Sequence, residues 1–422
     1  MNVFFYNIFL LLFKAATQLA SLFDGKAKKW VNGRKDIFKK LQETIPQNEK
    51  IIWVHCASLG EFEQGRPVIE KLRSLDTGHR ILLTFFSPSG YEVQKNYSGA
   101  DWVFYLPADG ASNARRFLEI VNPQLVIFVK YEFWYYYLKK IKYREIPLLL
   151  VSALFRPDMS FFKWYGGLQR KMLSRFDHLF VQTEESKKLI ARIGLEGICS
   201  VSGDTRFDRV IGIAEKFEPI PSIEKFIGSS KVVVAGSTWN EDEELLQKAF
   251  GSISDTSLKL IIAPHEITEA HLDDLKKLFP NAILYSQLTT GPWHLTPETR
   301  HLIIDNIGML SRLYNYGSIT YVGGGLKPMG VHNVLEAAVY GKPVIVGPFY
   351  KKYVEARELV DDGGALVVKN EIELANVITN LLNNAHGCYD KASNASKKYV
   401  GRNKGATERI SLYIQEKRLL TS

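Results

Sequence analysis

Three short stretches of this chain gather residue types that can move a proton or hold an anion. Each stands where a strand-like run meets a helix-like one. The first is Trp53-Val-His-Cys-Ala-Ser-Leu-Gly-Glu61. An apolar run enters a small-residue turn and delivers a carboxylate, Glu61, to a helix beginning near Gly60. Two roles fit it. At the mouth of a sheet a partly desolvated carboxylate can accept a proton; in the first turn of a helix it also complements the helix dipole. Glu63, two residues on, reads as solvent-facing. The second stretch runs through Gly236, Ser237 and Thr238 into the acidic run Glu241-Asp-Glu-Glu244. Backbone N–H groups and hydroxyls at such a turn can hold a phosphate or carboxylate. The same residues also serve as ordinary N-caps, with the acids suiting the helix dipole. No Gly-Lys-Ser/Thr follows, so this is not a Walker A loop.

The third stretch is Tyr321-Val-Gly-Gly-Gly-Leu-Lys-Pro-Met-Gly-Val-His-Asn-Val-Leu-Glu336, followed by Gly341-Lys-Pro343. Glycines after a strand let backbone approach a ligand, and a helix starting near His332 would aim its N-terminus at a nucleotide phosphate. Glu336, one turn in, can accept hydrogen bonds from both ribose hydroxyls. The competing account is a tight strand-to-helix connection capped by Asn333. It explains one or two glycines, but poorly explains Gly323, Gly324, Gly325 and Gly330 together. Smaller signals are Ala263-Pro264-His265, Asp305-Asn-Ile307-Gly308-Met309 and Gly203-Asp-Thr-Arg206-Phe-Asp208. His265 also reads as a surface residue, and Asp208 as an ordinary turn residue. No His/Asp/Glu cluster has metal-ligand spacing and there is no Asp-Xaa-Asp, so no metal is expected. Cys56, Cys199 and Cys388 are too few and scattered for a disulfide framework or a zinc site, and suit a reducing compartment. Cys56, at a strand end, reads as a small buried hydrophobe.

The elements that must position these residues alternate regularly. Residues 51–55, 80–85, 102–105, 125–129, 148–152 and 178–182 read as strands, short and rich in β-branched or aromatic residues, as when both faces are buried. Helical periodicity fills 62–75, 89–97, 111–121, 133–143 and 184–193. After the Pro-containing linker 217–221 the pattern restarts, with strands at 231–235, 258–263, 282–285, 302–304, 319–322 and 343–346. Helices are expected at 241–250, 268–279, 309–316 and 331–340. Strands alternating with helices predict parallel sheets covered by helices. The 422 residues suit two domains. We divide the chain into 1–40, 41–216 and 217–422, the C-terminal helix being able to pack back on the first domain. Two doubly wound halves imply a cleft where the carboxyl ends of their strands face each other.

The segment before the first strand differs. Apolar residues run from Val3 to Phe13 and continue as Ala15, Ala16, Leu19, Ala20, Leu22 and Phe23. Lys14, Lys26, Lys28, Lys29, Arg34, Lys35, Lys39 and Lys40 crowd the same region of a chain whose formal net charge is +9. Such a charge favours nucleic acid, phosphorylated substrates or an acidic membrane surface. A signal peptide carries its charge ahead of the apolar core, which is not so here. A full span needs about 20 mainly apolar residues, reached here only by including Asn7, Lys14, Thr17 and Gln18. An interfacial helix is therefore expected, with the lysines meeting anionic headgroups and the rest of the chain in the cytoplasm. A buried N-terminal helix is the alternative.

Taken in order, these segments resemble the 3-deoxy-D-manno-octulosonic acid (Kdo) transferases of lipopolysaccharide synthesis. Gly323 to Glu336 with Gly341-Lys-Pro343 is similar to that family's Gly-Gly-Ser, Pro-Xaa-Gly-Gly-His-Asn-Xaa-Leu-Glu and Gly-Lys-Pro. Ser58-Leu-Gly60-Glu61 resembles its Ser-Xaa-Gly-Glu turn, whose glutamate is the general base. Val129-Lys-Tyr-Glu132-Phe-Trp134 resembles Glu-Thr-Glu-Xaa-Trp, which makes Glu132 a second site carboxylate. Gly203 to Asp208 is similar to Gly-Asn-Xaa-Lys-Phe-Asp, with Arg206 for lysine. The family's Ala-Pro-Arg-His, Asn-Ala-Arg and Met-Gly-Glu are only partly kept, at Pro264-His265, Ser152-Ala153-Leu154 and Gly308-Met309. The resemblance implies two Rossmann-like domains facing across a cleft, the GT-B arrangement, behind a membrane-associated helix. It implies an inverting transferase that takes Kdo from CMP-Kdo to a lipid A precursor of the lipid IVA type, at the cytoplasmic face of the inner membrane, without cofactor or nucleic acid. Cytidylate binding would fall to Pro264, His265, Ile307, Gly308, Met309, His332, Asn333, Val334, Leu335 and Glu336. Gly236, Ser237, Thr238, Gly324, Gly325 and Arg206 would hold phosphate or sugar carboxylate. A UDP-sugar transferase or a non-catalytic membrane-bound binding protein are the alternatives; a dinucleotide oxidoreductase lacks its Gly-Xaa-Gly-Xaa-Xaa-Gly.

Overall fold

The computed structural model describes residues 3–290 and 299–420. They form two compact units: residues up to Arg209 together with those from Lys404 on, and Val210–Asn403 between them. The change of unit falls inside the helix Thr205–Glu215.

In the first unit, β1 (Ile51–Cys56), β2 (Arg80–Phe85), β3 (Trp102–Tyr105), β4 (Leu125–Val129), β5 (Leu148–Ala153), β6 (His178–Val181) and β7 (Cys199–Val201) make one sheet. Its order is β3-β2-β1-β4-β5-β6-β7, with every pairing parallel. In the second unit the strands are β8 (Val232–Thr238), β9 (Lys259–Pro264), β10 (Ile283–Leu284), β11 (His301–Ile303), β12 (Ile319–Val322), β13 (Val344–Val346) and β14 (Ala365–Val367). Their order is β10-β11-β9-β8-β12-β13-β14, again all parallel. The winding reverses between β1 and β4 and between β8 and β12, and crevices outside such switch points are where open α/β sheets bind ligands.

The predicted strands correspond to twelve of these, because short apolar runs buried on both faces are what a helix-covered sheet requires. β7 and β14 were not anticipated. Each is a three-residue edge strand with two half-buried residues, too short to show a period. One predicted helix fails. Residues 331–334 are loop, and only Leu335–Ala338 is helical, so no helix starts at His332. The apolar periodicity there arises because Val331 and Val334 are buried from a loop that leads into the buried Leu335.

The C-terminal helix Ala406–Glu416 sets Ile410 and Ile414 into the core beside Val68 and Leu72 of the helix Leu59–Ser74. Asp208 caps it, accepting from the backbone N–H groups of Gly405 at 2.5 Å and Thr407 at 2.6 Å. Its expected role as a turn residue is thus replaced by a helix cap 197 residues away in sequence.

Before β1 come helices Val3–Ala20, Gly25–Gly33 and Ile37–Thr44. The first is long and apolar enough to cross a membrane, by length and composition. Tyr6 is its buried residue. The Tyr6 hydroxyl donates to Asp109 at 2.7 Å and accepts from the Tyr135 amide at 3.2 Å. Phe4, Phe5, Phe9, Leu11 and Leu12 are exposed, so the helix is tied down near one end and leaves most of its apolar surface uncovered. Arg34 does not join the lysines outside. Its guanidinium lies 3.9 Å from the Trp30 ring centroid and donates to the carbonyls of Phe86 and Leu106 at 2.7 and 2.8 Å.

Candidate functional site

At the switch point of the first unit, β1 ends at Cys56 and the helix Leu59–Ser74 begins, placing Glu61 in its first turn. The Ser58 hydroxyl donates to Glu61 Oε2, which fixes the carboxylate at the turn. Gly60 is exposed, and Glu61 is half-buried. Glu63 is not simply solvent-facing: it pairs with Arg209. Cys56 is fully buried, and burial, Glu61 and Glu132 push its thiol well up, which leaves it a small protonated hydrophobe.

On the other side of the switch point, β4 leads into Lys130, held at φ 67°, and then to Glu132. Glu132 is buried. Its Oε2 accepts from Trp134 Nε1 at 2.6 Å and meets His55 Nε2 at 2.8 Å. The other ring nitrogen of His55, Nδ1, meets the Thr84 hydroxyl and carbonyl at 2.9 and 3.0 Å, and Trp53 Nε1 donates to that hydroxyl at 2.7 Å. The ring nitrogens of His55, both indole N–H groups and Glu132 Oε2 all have partners in this buried chain, and such bonding holds a network to one geometry. His55 carries no signal of its own in the sequence; its place one residue before the end of β1, pointing across the sheet to β2, is what recruits it.

Arg206 is held by Asp204, its Nε and Nη2 donating to Oδ2 at 2.9 and 2.6 Å. Its charge is therefore already countered locally. In the same unit a cavity of about 930 Å³ opens between the N-terminal helices and the sheet. Leu10, Leu11, Phe13, Trp30 and Trp134 supply apolar walls, and Lys14, Lys35, Lys39 and Arg116 supply positive charge.

At the corresponding point of the second unit, β8 ends in Gly236, Ser237 and Thr238, with Ser237 at φ 52°. A side chain on Gly236 would collide with Tyr314, its Cβ lying 2.2 Å from the hydroxyl. Thr238 is fully buried and its hydroxyl donates to Glu243 at 2.8 Å, so that proton is committed and only Ser237 keeps a hydroxyl proton for a ligand. Glu243 in turn pairs with His271 at 2.9 Å.

Asp242 is the hub. Buried in the first turn of the helix Asn240–Ser252, it accepts from the Trp239 and Gly324 amides, both at 2.9 Å, and from the Tyr321 hydroxyl at 2.6 Å. One carboxylate thus ties the turn after β8 to the turn after β12. Burial pushes its carboxyl up, while the three hydrogen bonds pull it down. The acids of this turn are expected to serve the helix dipole; Asp242 and Glu243 instead face inward.

The glycines after β12 are required by packing. A Cβ on Gly323 would lie 2.3 Å from the Ser237 carbonyl oxygen, and one on Gly325 would lie 2.7 Å from the Gly347 nitrogen. Gly324 and Gly330 sit at φ 84° and 93°, where other residues are strained. The tight-connection account therefore covers all four, and their number alone no longer argues for a ligand. Beyond them, Asn333 is a local cap: its Oδ1 accepts from the Leu335 amide at 3.2 Å and its amide donates to Glu336 at 3.0 Å. Val334 and Leu335 are fully buried and can offer a ligand only backbone.

Pro264 closes β9, and the exposed His265 ring stacks on His332 at 4.3 Å between centroids and lies 4.7 Å from the Trp239 ring. In the 305–309 turn, Ile307 is 90% exposed, Gly308 is at φ 95° and Met309 is buried. Met309 thus anchors the turn, and Ile307 is the residue it presents. Among the described residues, no group of three or more His, Cys, Asp or Glu side chains could hold a metal ion.

Residues 32–209 match the family model described as 3-deoxy-D-manno-octulosonic-acid transferase (kdotransferase). A 3-deoxy-D-manno-octulosonic acid transferase of Aquifex aeolicus is 33% identical over 346 residues, covering 81% of this chain and 88% of the relative. One from Haemophilus influenzae is 26% identical, covering 85% of each. Among solved structures, a UDP-GlcNAc 2-epimerase from Neisseria meningitidis superposes with a TM-score of 0.62 at 18% identity, covering 87% of this chain and 100% of that one. That likeness shows the shared GT-B-like pair of parallel-sheet units. Sequence relatedness over four-fifths of its length, on two such sheets, makes this chain a member of the 3-deoxy-D-manno-octulosonic acid transferase family.

Proposed function

We propose that this Kdo transferase takes its sugar from CMP-Kdo and delivers it to a lipid A precursor of the lipid IVA type in lipopolysaccharide synthesis. The reaction inverts the anomeric centre and uses neither metal nor cofactor. The observation that carries this reading is the pair of switch points: one presents a positioned carboxylate, the other a tight glycine turn, braced by Asp242, beside the Ser237 hydroxyl and the His332 ring. Glu61 takes the proton from an acceptor hydroxyl as its oxygen attacks the anomeric carbon. The bond from that carbon to the phosphate oxygen breaks, and CMP leaves with the electron pair. Hydrogen-bond donors at Ser237 and His332 stabilise the charge that collects on the leaving phosphate. Asn333 and Glu336 hold the ribose, and the Ile307–Met309 turn borders the nucleotide. Glu132, fixed on its Oε2 side, keeps Oε1 for the sugar or the acceptor.

The acceptor is amphiphilic and anionic, which fits a cavity with apolar walls and cationic side chains. The exposed apolar helix Val3–Ala20 supports attachment to the inner membrane from its cytoplasmic face, where that lipid lies. Mass spectrometry of lipid products after incubation with CMP-Kdo and a lipid A precursor tests the reading. The expected product carries added Kdo; a product formed only with a UDP-sugar would refute it.

A further inference from the structure

The contact between Trp239 and His332 carries information that neither residue carries alone. Trp239 Nε1 lies 3.0 Å from His332 Nε2. An indole nitrogen can only donate, so His332 Nε2 must accept. That excludes both the imidazolium and the Nε2–H tautomer, since either would set two N–H groups against each other. The ring is left with its proton on Nδ1. Three further features fix this edge-to-edge arrangement. Asp242 holds the Trp239 and Gly324 amides together. The His332 amide donates to the Gly323 carbonyl at 3.1 Å. His265 covers both rings, stacked on His332 and lying against Trp239.

Gly324 lies against the same ring edge: a Cβ built there would come within 2.8 Å of Cδ2 and 3.1 Å of Nε2. The Nδ1–Cε1 edge is therefore turned away from Gly324 and Trp239. Burial and the neighbouring His265 also hold the His332 pKa down to about 4, which keeps the ring neutral at pH 7.

We infer that Trp239 is a positioning residue that locks His332 in its Nδ1–H tautomer, so that this N–H is presented as a fixed donor to an anionic oxygen of the bound nucleotide. The second half of this statement rests on the nucleotide reading of the second unit; the lock itself does not. A neutral ring donates one directed hydrogen bond without a charge that would also bind product tightly. His265 acts with Trp239 as the wall that stops the ring from turning over.

Nitrogen-15 NMR of histidine-labelled full-length protein, with His332 assigned by its loss in His332→Gln, reads the tautomer directly. Wild type should show a pyridine-type Nε2 and a protonated Nδ1 at pH 7. Trp239→Phe keeps an aromatic plane for His265 but removes the donor, and should shift His332 toward the Nε2–H form. CMP affinity, measured by calorimetry, should fall about tenfold in that variant, the scale of one hydrogen bond to a charged group. His332→Asn, whose amide can stand near Nδ1, should bind CMP better than His332→Gln, whose amide reaches toward Nε2. A wild-type His332 protonated on Nε2, or an unchanged tautomer in Trp239→Phe, would overturn the lock. An altered tautomer with undiminished CMP affinity would overturn its role in binding. A wild type that shows the Nδ1–H form but binds no CMP would overturn the nucleotide reading and leave the lock standing.

Discussion

The two units build the same kind of sheet and then put opposite chemistry at the same topological place. Where winding reverses between β1 and β4, the turns end in carboxylates: Glu61 braced by Ser58, and Glu132 braced by His55 and Trp134. Between β8 and β12, the carboxylate faces inward among close-packed glycines, and a hydroxyl and aromatic rings lie nearer the surface. The difference teaches that topology sets where a ligand can sit, while a handful of side chains in two turns decides what is done there. A basic oxygen suits the removal of a proton. A hydroxyl and a ring N–H suit a departing phosphate.

This contrast can be broken most severely at the hub. Asp242→Ala would orphan two amides and a buried tyrosine hydroxyl, at about 1–3 kcal/mol for each. We expect a marked drop in Tm and loss of CMP binding by calorimetry. Glu132→Ala in the first unit should also lower Tm, yet leave CMP affinity at the wild-type value. If Glu132→Ala weakened CMP as much as Asp242→Ala, the division of labour would fail.

Gly323→Ala comes next. Its Cβ would press on the Ser237 carbonyl, and overpacking of this kind costs about 1–3 kcal/mol. CMP affinity should fall severalfold or more. Gly60→Ala is the control in the first unit: its Cβ would meet only the Ser58 hydroxyl, at 3.8 Å. Normal Tm and normal CMP binding are expected there, read by the same two measurements.

Glu336→Ala should be milder, weakening CMP about tenfold through lost ribose hydrogen bonds. Unchanged binding would remove Glu336 from the ribose.

The smallest effect is on stability against pH. Burial, with Arg300 beside His301 and Lys417 beside His178, holds both rings down to about 4. Their folded-state pKa lies below the unfolded value of about 6.5, so the unfolded chain binds more protons in between. Their contribution is present above pH 6.5 and is lost as pH falls toward 4. His301→Phe should flatten part of that decline in Tm. An equal slope in the variant would show that His301 does not contribute.

Much of the fold was legible because a doubly wound sheet demands short apolar runs, and this chain supplies them. Glu61 was legible as a carboxylate at a strand-to-helix turn, open between two roles. The hub was not. Asp242 lies in a run of four acids, any of which serves a helix dipole, and its partner Gly324 is 82 residues away. Trp239 and His55 escaped notice because an aromatic residue at a strand end is usually core. The expected helix at His332 failed because Val331 and Val334 are buried by loop packing rather than by a helical face. In the sequence Thr238 reads as a second hydroxyl donor, but Glu243 five residues on claims it.

The central claim is that the first unit supplies the base and the second the nucleotide site. Glu61→Gln tests it most directly, on one preparation assayed for Kdo transfer by mass spectrometry and for CMP binding by calorimetry. General-base loss should lower the transfer rate by about 10²–10⁴-fold, with CMP affinity unchanged. Transfer at the wild-type rate, or a loss of CMP binding that matches the loss of transfer, would contradict it.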